Sequence, residues 1–270
     1  MRDHTTDREH LTKSAYATGA NLAARQSIYR FQQPRFHFPD WALAHADWQD
    51  IETVVDIGCG NGAYLRCLSA RVPRLLGLDL SRGMLTDLMS SWNTTPFLAV
   101  ADAQATPVRS RCADLALSMH MLYHVADIAA AVHELRRVLR PGGVLLASTN
   151  AEAHLRELFQ LLSQAFATLG GDSSLLDRSF MRFTAENGGR SLRQAFAQVD
   201  WYAATSTLAV PEVQPIVDYI ESMRGWVEPL LPAAATWSQC TAEIERLVHR
   251  HLAHNDAFRI TAAAGVFVCR

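Results

Sequence analysis

The sequence predicts a doubly wound α/β fold, a mostly parallel sheet with helices on both faces, from three observations. TVVDIGCGNG at 53–62 reads as a short buried strand entering a glycine-rich turn, GLDLS at 77–81 as the next strand ending in an acid, and the segments that follow alternate between strand-like runs and amphipathic helical stretches. Thr53, Val54, Val55 and Ile57 are strand formers, while Gly58, Gly60 and Gly62 let the backbone turn sharply and approach a ligand at the start of a helix. Asp79 lies 21 residues beyond Gly58, where the second strand of a βαβ unit ends and a carboxylate can accept both hydroxyl hydrogens of a ribose. A nucleoside-type cofactor is the first inference.

Gly58, Gly60 and Ala63 also satisfy the loose dinucleotide fingerprint. Two carboxylates favour another ligand. Asp56 precedes the first glycine, where it repels a pyrophosphate but accepts bonds from turn amides or a ligand ammonium, and Asp102 follows a third strand-like run.

With VVDIGCGNG at 54–62, GLDLS at 77–81, ADAQATPV at 101–108, ADLALSMHMLYHVAD at 113–127 and ELRRVLRPGG at 134–143, the chain resembles the class I S-adenosylmethionine-dependent methyltransferases. The resemblance is to the large bacterial group that includes small-molecule and quinone-biosynthesis enzymes, and it covers 51–149 closely. It implies a Rossmann-like, mostly parallel seven-stranded sheet with N-terminal helices and a small helical substrate cap.

Taken in order, residues 10–31 favour one or two helices, with Leu11, Ala15, Leu22 and Tyr29 on an inward stripe and Gly19 at a junction. FQQPRFHFPDW, interrupted by Pro34 and Pro39, reads as an ordered loop leading to a short helix over 41–48. In the resembling family such a segment covers the cofactor and shapes the acceptor pocket. That implies cofactor contacts for Tyr16 and Arg25 and an acceptor contact for Tyr29, with plain packing and solvation as the competing account.

A helix over 62–70, a strand over 75–78, a helix over 82–90 capped by Ser81 and a strand over 97–101 follow. The resemblance implies that Asp102 accepts the adenine amino group and that Ala103 presents a backbone amide to a ring nitrogen. It also places Asp56, Gly58, Cys59, Gly60, Asp79, Leu80 and Met84 along the cofactor, although Cys59 and Met84 are equally explained as packing.

The strand over 113–118 ends in MHMLYHVAD at the crevice where open α/β sheets bind ligands, with Met119 and His120 near the cofactor. His120 and His124 are general-base candidates, and their four-residue spacing puts them on one face if the turn between them is helical. Such a pair also suits a metal, but no third ligand accompanies it, so none is expected. His124 as a loop-fixing residue is the alternative, and a base is not required, because an acceptor that is already neutral with its lone pair facing the methyl gains mainly from proximity and alignment.

An amphipathic helix over 128–139 stops at Pro141-Gly142-Gly143 before a strand over 144–147, and Glu134, Arg136, Arg137 and Arg140 are expected on a solvated face. Asn150 can orient an acceptor or cap the next helix, 153–169. After a break at 170–174, Arg182 and Phe183 lie in a connection that borders substrate in the resembling class, with a surface ion pair as the other account of Arg182, and Thr184 caps a helix over 185–196. A strand over 199–210 is long enough to protrude as a substrate-side ribbon. Residues 211–231 read as a helical cap, 237–251 as a return helix and 260–269 as a last strand, antiparallel by resemblance. Tyr202, Tyr219 and Trp226 are candidate pocket residues or ordinary packing.

The expected layout is an N-terminal cover (1–48), a core (49–210), a cap with its return helix (211–251) and a final strand (252–270), integrated as one catalytic domain. The 270 residues are 49% hydrophobic, enough for a substantial core, and 25 basic against 27 acidic side chains, net −2, argue against an extended nucleic-acid track. No apolar run reaches a membrane span and the polar N-terminus has no secretory pattern, so cytoplasm is the default location. Five scattered cysteines suggest neither a disulfide framework nor a metal knuckle. The expectation is methyl transfer from S-adenosylmethionine to an oxygen, nitrogen or activated carbon of a small molecule in specialised metabolism, by a monomer or homodimer. An RNA or protein methyltransferase and a noncatalytic adenosylmethionine-binding module are the alternatives.

Overall fold

Strands dominated by aliphatic side chains sit where both faces are covered, and β2 (Thr53–Ile57) and β5 (Ala113–Met119), buried along their whole length, lie inside the sheet. The computed structural model describes residues 6–92, 96–176 and 182–270. The remaining strands are β1 (Gln32–Gln33), β3 (Arg74–Asp79), β4 (Phe97–Val100), β6 (Leu139–Asn150), β7 (Val199–Val210) and β8 (Phe258–Cys269), in the spatial order β1-β7-β8-β6-β5-β2-β3-β4. The chain runs outward from β2 through β3 to β4, then returns to β5 on the other side of β2, and these strands with β6 pair in parallel. That reversal opens a crevice at the carboxyl ends of β2 and β5. β8 runs antiparallel to both β6 and β7.

Alternation along the strands sorts the core into two layers. Leu115, Leu117 and Leu146 meet α3 (Phe38–Leu43), α4 (Ala63–Leu68) and α5 (Arg82–Ser90) through Leu43, Leu65 and Leu88. Ala116 and Leu145 face α6 (Ile128–Val138) and α8 (Gly188–Leu192) through Leu135 and Leu192. Each fully buried leucine contributes roughly 2 kcal/mol of transfer free energy.

β7 and β8 stay paired as far as Val210 and Phe258, whereas β6 ends opposite Ala264. This overhang supports a third cluster. α7 (Arg156–Thr168), α9 (Gln214–Glu221) and α11 (Trp237–Leu252) pack on it through Leu158, Phe166, Ile216, Ile220, Ile244 and Val248. α10 (Arg224–Val227) completes the cap beside the N-terminal segment, which comprises α1 (Arg8–His10), a π-helical turn over Leu11–Ala15, α2 (Ala20–Ser27) and a 3₁₀ turn over Ile28–Phe31.

Several boundaries differ from the sequence expectation. The aromatic loop contributes an eighth strand, β1, paired with Leu208 and Thr207 of β7. Pro39 opens α3 instead of delaying it, because proline fits the first helical turn. The strand expected over 144–147 begins already at Leu139, which pairs with Ala113 of β5, and the register then shifts so that Leu115 meets Val144. The helix expected over 185–196 shortens to α8: the Thr184 hydroxyl accepts from Glu186 and Asn187 N–H in a turn that precedes it, and Asn187 takes the cap position. Ser179 to Met181 of the same predicted connection lie outside the described residues.

Candidate active site

The loop after β2 is held by β3. Gly58 and Cys59 N–H both donate to Leu78 O, at 2.7 and 2.9 Å, and Gly60 N–H donates to one oxygen of Asp79 while Ser81 N–H donates to the other, each at 2.8 Å. Burial pushes the Asp79 carboxyl up and these amides oppose it. Gly58 adopts φ +79°, and a Cβ there would lie 2.7 Å from Met121 Cγ, so only glycine closes this turn. Met121 was not anticipated; an unbranched apolar residue between two singled-out histidines carries no signal of its own.

Asp56 lies fully buried at the end of β2, with neither carboxylate oxygen bonded among the described residues. Burial first, and the neighbouring Asp79 second, push its pKa up to about 8. An orphaned carboxylate is a costly feature in a folded chain and implies a partner that arrives from outside.

The N-terminal segment roofs the loop. Ser81 Oγ donates to Tyr16 O at 2.7 Å, Gly19 N–H to Asp87 at 2.9 Å, and Asn61 to Gln26 at 2.9 Å. From this anchorage the Tyr16 hydroxyl reaches His124 Nε2 at 2.9 Å. Arg25 lies over both the Tyr16 and Trp226 rings, 5.0 and 4.9 Å from their centroids; its Nε donates to Asn21 O, but its buried Nη2 has no partner among the described residues. Trp226 also lies parallel to His124 at 6.2 Å, and its buried Nε1 is likewise unbonded. A buried carboxyl without a partner beneath the loop and a guanidinium with an unbonded Nη2 above it fit the α-ammonium and α-carboxylate of an amino-acid group.

Asp102 carries more partners than foreseen. Arg8 pairs with it at 2.9 Å and Gln104 donates to it from both backbone and side chain. It borders an open groove of about 790 Å³ that runs past Gln104 and Thr106 to Glu134 and Arg137. A second groove of about 510 Å³ lies between Arg8, Thr12 and Lys13 on one side and Leu80, Arg82 and Val100 on the other. The salt balance expected at Glu134 is present, since it pairs with Arg137 at 2.6 Å, but Glu134 is less solvated than expected because it also receives the Thr106 N–H and hydroxyl. Met84, Ala103, Cys59 and Met119 are buried in the core beside these features, and burial pushes the Cys59 thiol up.

The two histidines do not share a face. The turn between them is helical only over Leu122–His124, and His120 has φ +55°. The His120 ring packs 5.2 Å from Phe38, and burial lowers its pKa to about 4. His124 packs on Tyr16, Tyr123 and Trp226.

Toward β6 and β8, Tyr29 meets His154 Nε2 at 3.2 Å, and His154 Nδ1 accepts from Ala263 N–H at 3.1 Å. Burial raises the Tyr123 phenol, with Tyr16, Tyr219 and Tyr29 adding to the effect, so four tyrosines gather here. Asn150 closes β6 and its carbonyl accepts from Ala185 N–H. Three predicted acceptor contacts fall elsewhere. Arg182 donates to the carbonyls of Val125 and Ala126, Phe183 is fully buried against Phe267, and Tyr202 is 42% exposed near the amino end of β7, against His45. The connection and the strand were placed correctly in sequence, but side-chain direction depends on partners that the sequence does not reveal.

One group among the described residues has metal-ligand chemistry, His37, Asp40 and Cys67, within 4.8 Å of one another. It lies on α3 and α4 with the Arg71 charge acting on both Asp40 and Cys67, which opposes a bound cation.

Residues 55–147 match a family model described as a methyltransferase domain. The malonyl-[acyl-carrier protein] O-methyltransferase of Salmonella typhimurium is 30% identical over 192 residues, 71% of this chain and 75% of that protein. The trans-aconitate 2-methyltransferase of Acidovorax sp. is 28% identical over 221 residues, 80% and 84% of the two chains. The match to the malonyl-[acyl-carrier protein] O-methyltransferase of Serratia marcescens, 36% identical over 107 residues, spans 40% of this chain and only 42% of that protein. Among solved structures, a putative methyltransferase from an antibiotic biosynthesis pathway of Anabaena variabilis superposes with a TM-score of 0.62 at 11% identity, covering 86% of this chain and 96% of that one, a likeness of fold. Relatives of this extent and identity show the family: the chain belongs to the class I S-adenosylmethionine-dependent methyltransferases and is an enzyme that uses S-adenosylmethionine.

Proposed function

We propose that the enzyme methylates a small acceptor held between the N-terminal roof and the cap on the β7–β8 overhang. The observation that carries this reading is the pair of buried groups left without partners among the described residues, the Asp56 carboxyl below the glycine loop and Arg25 Nη2 above it. Asp56 takes the ammonium and Arg25 the carboxylate of the cofactor's amino-acid end, Asp79 the ribose hydroxyls and Asp102 the adenine amino group, the last after Arg8 withdraws. Gly58, Gly60, Leu80 and Ala103 provide the backbone along this path, and Tyr16 closes over it. The bound cofactor supplies an electrophilic methyl on a sulfonium. The chain contributes alignment and exclusion of water, and the geometry favours this over proton abstraction: His120 is a weak base turned to Phe38, and His124 already shares its Nε2 with Tyr16.

The names of the relatives, O-methylation of malonyl-[acyl-carrier protein] and methylation of trans-aconitate, suggest an acidic acceptor for this chain as well. The description of the Anabaena protein suggests specialised metabolism. No helix among the described residues is long and apolar enough to cross a membrane. A cytoplasmic location and a monomeric or homodimeric state belong to the same proposal, and the near-neutral charge balance supports the absence of a nucleic-acid partner.

Arg25→Ala and Asp79→Ala separate the assigned roles. Calorimetry with S-adenosylhomocysteine and with methylthioadenosine, which lacks the amino-acid end, should show Arg25→Ala weakening the first by at least tenfold and leaving the second unchanged, a loss of about 1.4 kcal/mol or more. Asp79→Ala should weaken both. Equal losses for both ligands in Arg25→Ala would reject the assignment.

A further inference from the structure

We propose that Tyr29 donates a hydrogen bond to the acceptor, that His154 positions it, and that the group it receives is an aliphatic carboxylate that enters already ionised. This deepens the methyl-transfer reading above and rests on it. Bond direction follows from the neighbours. Ala263 N–H donates to His154 Nδ1, so in the neutral ring the proton is on Nε2, and Nε2 donates to the Tyr29 oxygen. Tyr29 thereby accepts from its histidine and keeps its own proton to give elsewhere. Burial raises the Tyr29 phenol, so it stays a donor across the physiological range.

The place suits an acceptor. His154 stands four residues beyond Asn150, at the end of β6, and Ala263 is on the overhanging β8, so Tyr29 is fixed beside the overhang, packed against the cluster that the cap helices cover. With Arg25 engaged by the cofactor's carboxylate, the groups left on this side, Tyr29 and Trp226 Nε1, are donors, whereas Asp56 and Asp79 belong to the loop side. An alcohol or ammonium would have to lose a proton to a base that neither histidine provides; a carboxylate would not. One of its oxygen lone pairs forms the O–CH₃ bond as the S–CH₃ bond breaks, the bonding pair remains on sulfur, and the products are a methyl ester and a neutral thioether with no proton moved.

The test uses the full chain loaded with S-adenosylhomocysteine and titrated calorimetrically with trans-aconitate, with malonyl-pantetheine and with acetyl-pantetheine as the neutral control. At least one of the two acids should bind and the control should not; the responding acid tells whether the carboxylate is carried on a free acid or on a thioester. Tyr29→Phe, which keeps the ring, should weaken that acid by tenfold or more with S-adenosylhomocysteine affinity unchanged. His154→Ala should raise the KM for the acid while leaving that for the cofactor, a split that loss of fold would not produce. Binding by neither acid, equal binding of the control, or an unaltered Tyr29→Phe enzyme overturns the proposal. Failure of S-adenosylhomocysteine itself to bind would instead remove the cofactor reading beneath it.

Discussion

Asp56 shows what a single residue does when its partner belongs to a ligand. With a pKa near 8 it is mostly protonated in the ligand-free enzyme at neutral pH, and a sulfonium and ammonium brought beside it favour the ionised form. Cofactor binding at pH 7 should therefore release about one proton, fading above pH 9, which calorimetry in buffers of different ionisation enthalpy will measure. Asp56→Asn should abolish the release. The sign for stability runs the other way: the folded-state pKa exceeds the unfolded one, so the contribution of Asp56 is fully present below pH 4 and is lost as pH rises through 8. Asp56→Asn should thus unfold at a higher temperature than the parent at pH 8 despite losing cofactor affinity. Asp56, Asp79 and Asp102 were legible in sequence because each directly follows or ends a strand. Arg8 was not legible as a site residue, and His154, placed by the sequence beside Asn150 with surface solvation as the competing account, is buried and bonded to Tyr29, a neighbour distant in the chain.

At the scale of elements, the loop between β2 and α4 depends on the turn between β5 and α6. Gly58 accommodates Met121 and a left-handed backbone at once, so Gly58→Ala should cost about 2–4 kcal/mol from strain and overpacking together. Denaturant unfolding will give that number, and Met121→Ala should recover part of it but not the backbone share. The strands were predicted well because their apolar alternation is local. Helix ends were predicted less well: Pro39 can end a loop or begin α3, and Thr184 can cap α8 or build the turn before it, choices decided by where the surrounding backbone already lies.

The whole molecule has three apolar clusters, two beneath the sheet's helices and one on the overhang, and the N-terminal segment packs on the third through Ile28, Tyr29 and Phe31 while roofing the glycine loop. Arg25 is the link, touching Tyr16 over the loop and Trp226 in the cap. Hydrogen exchange should accordingly show S-adenosylhomocysteine protecting both the glycine loop and α10. In Arg25→Ala the loop should still gain protection at saturating ligand while α10 no longer does; unchanged protection of α10 would show that the cap is coupled by another route. By itself the sequence determined the parallel core, the crevice at the ends of β2 and β5 and the cofactor class, because strand periodicity, a glycine turn and acids at strand ends are properties of contiguous residues. Only the tertiary structure decided that Phe183 and Arg182 are structural, that Tyr202 faces away, that the two histidines part company, and that Tyr29 is aimed by His154. Such outcomes depend on which groups meet between distant parts of the chain, and a pattern of neighbours along it carries no record of that meeting.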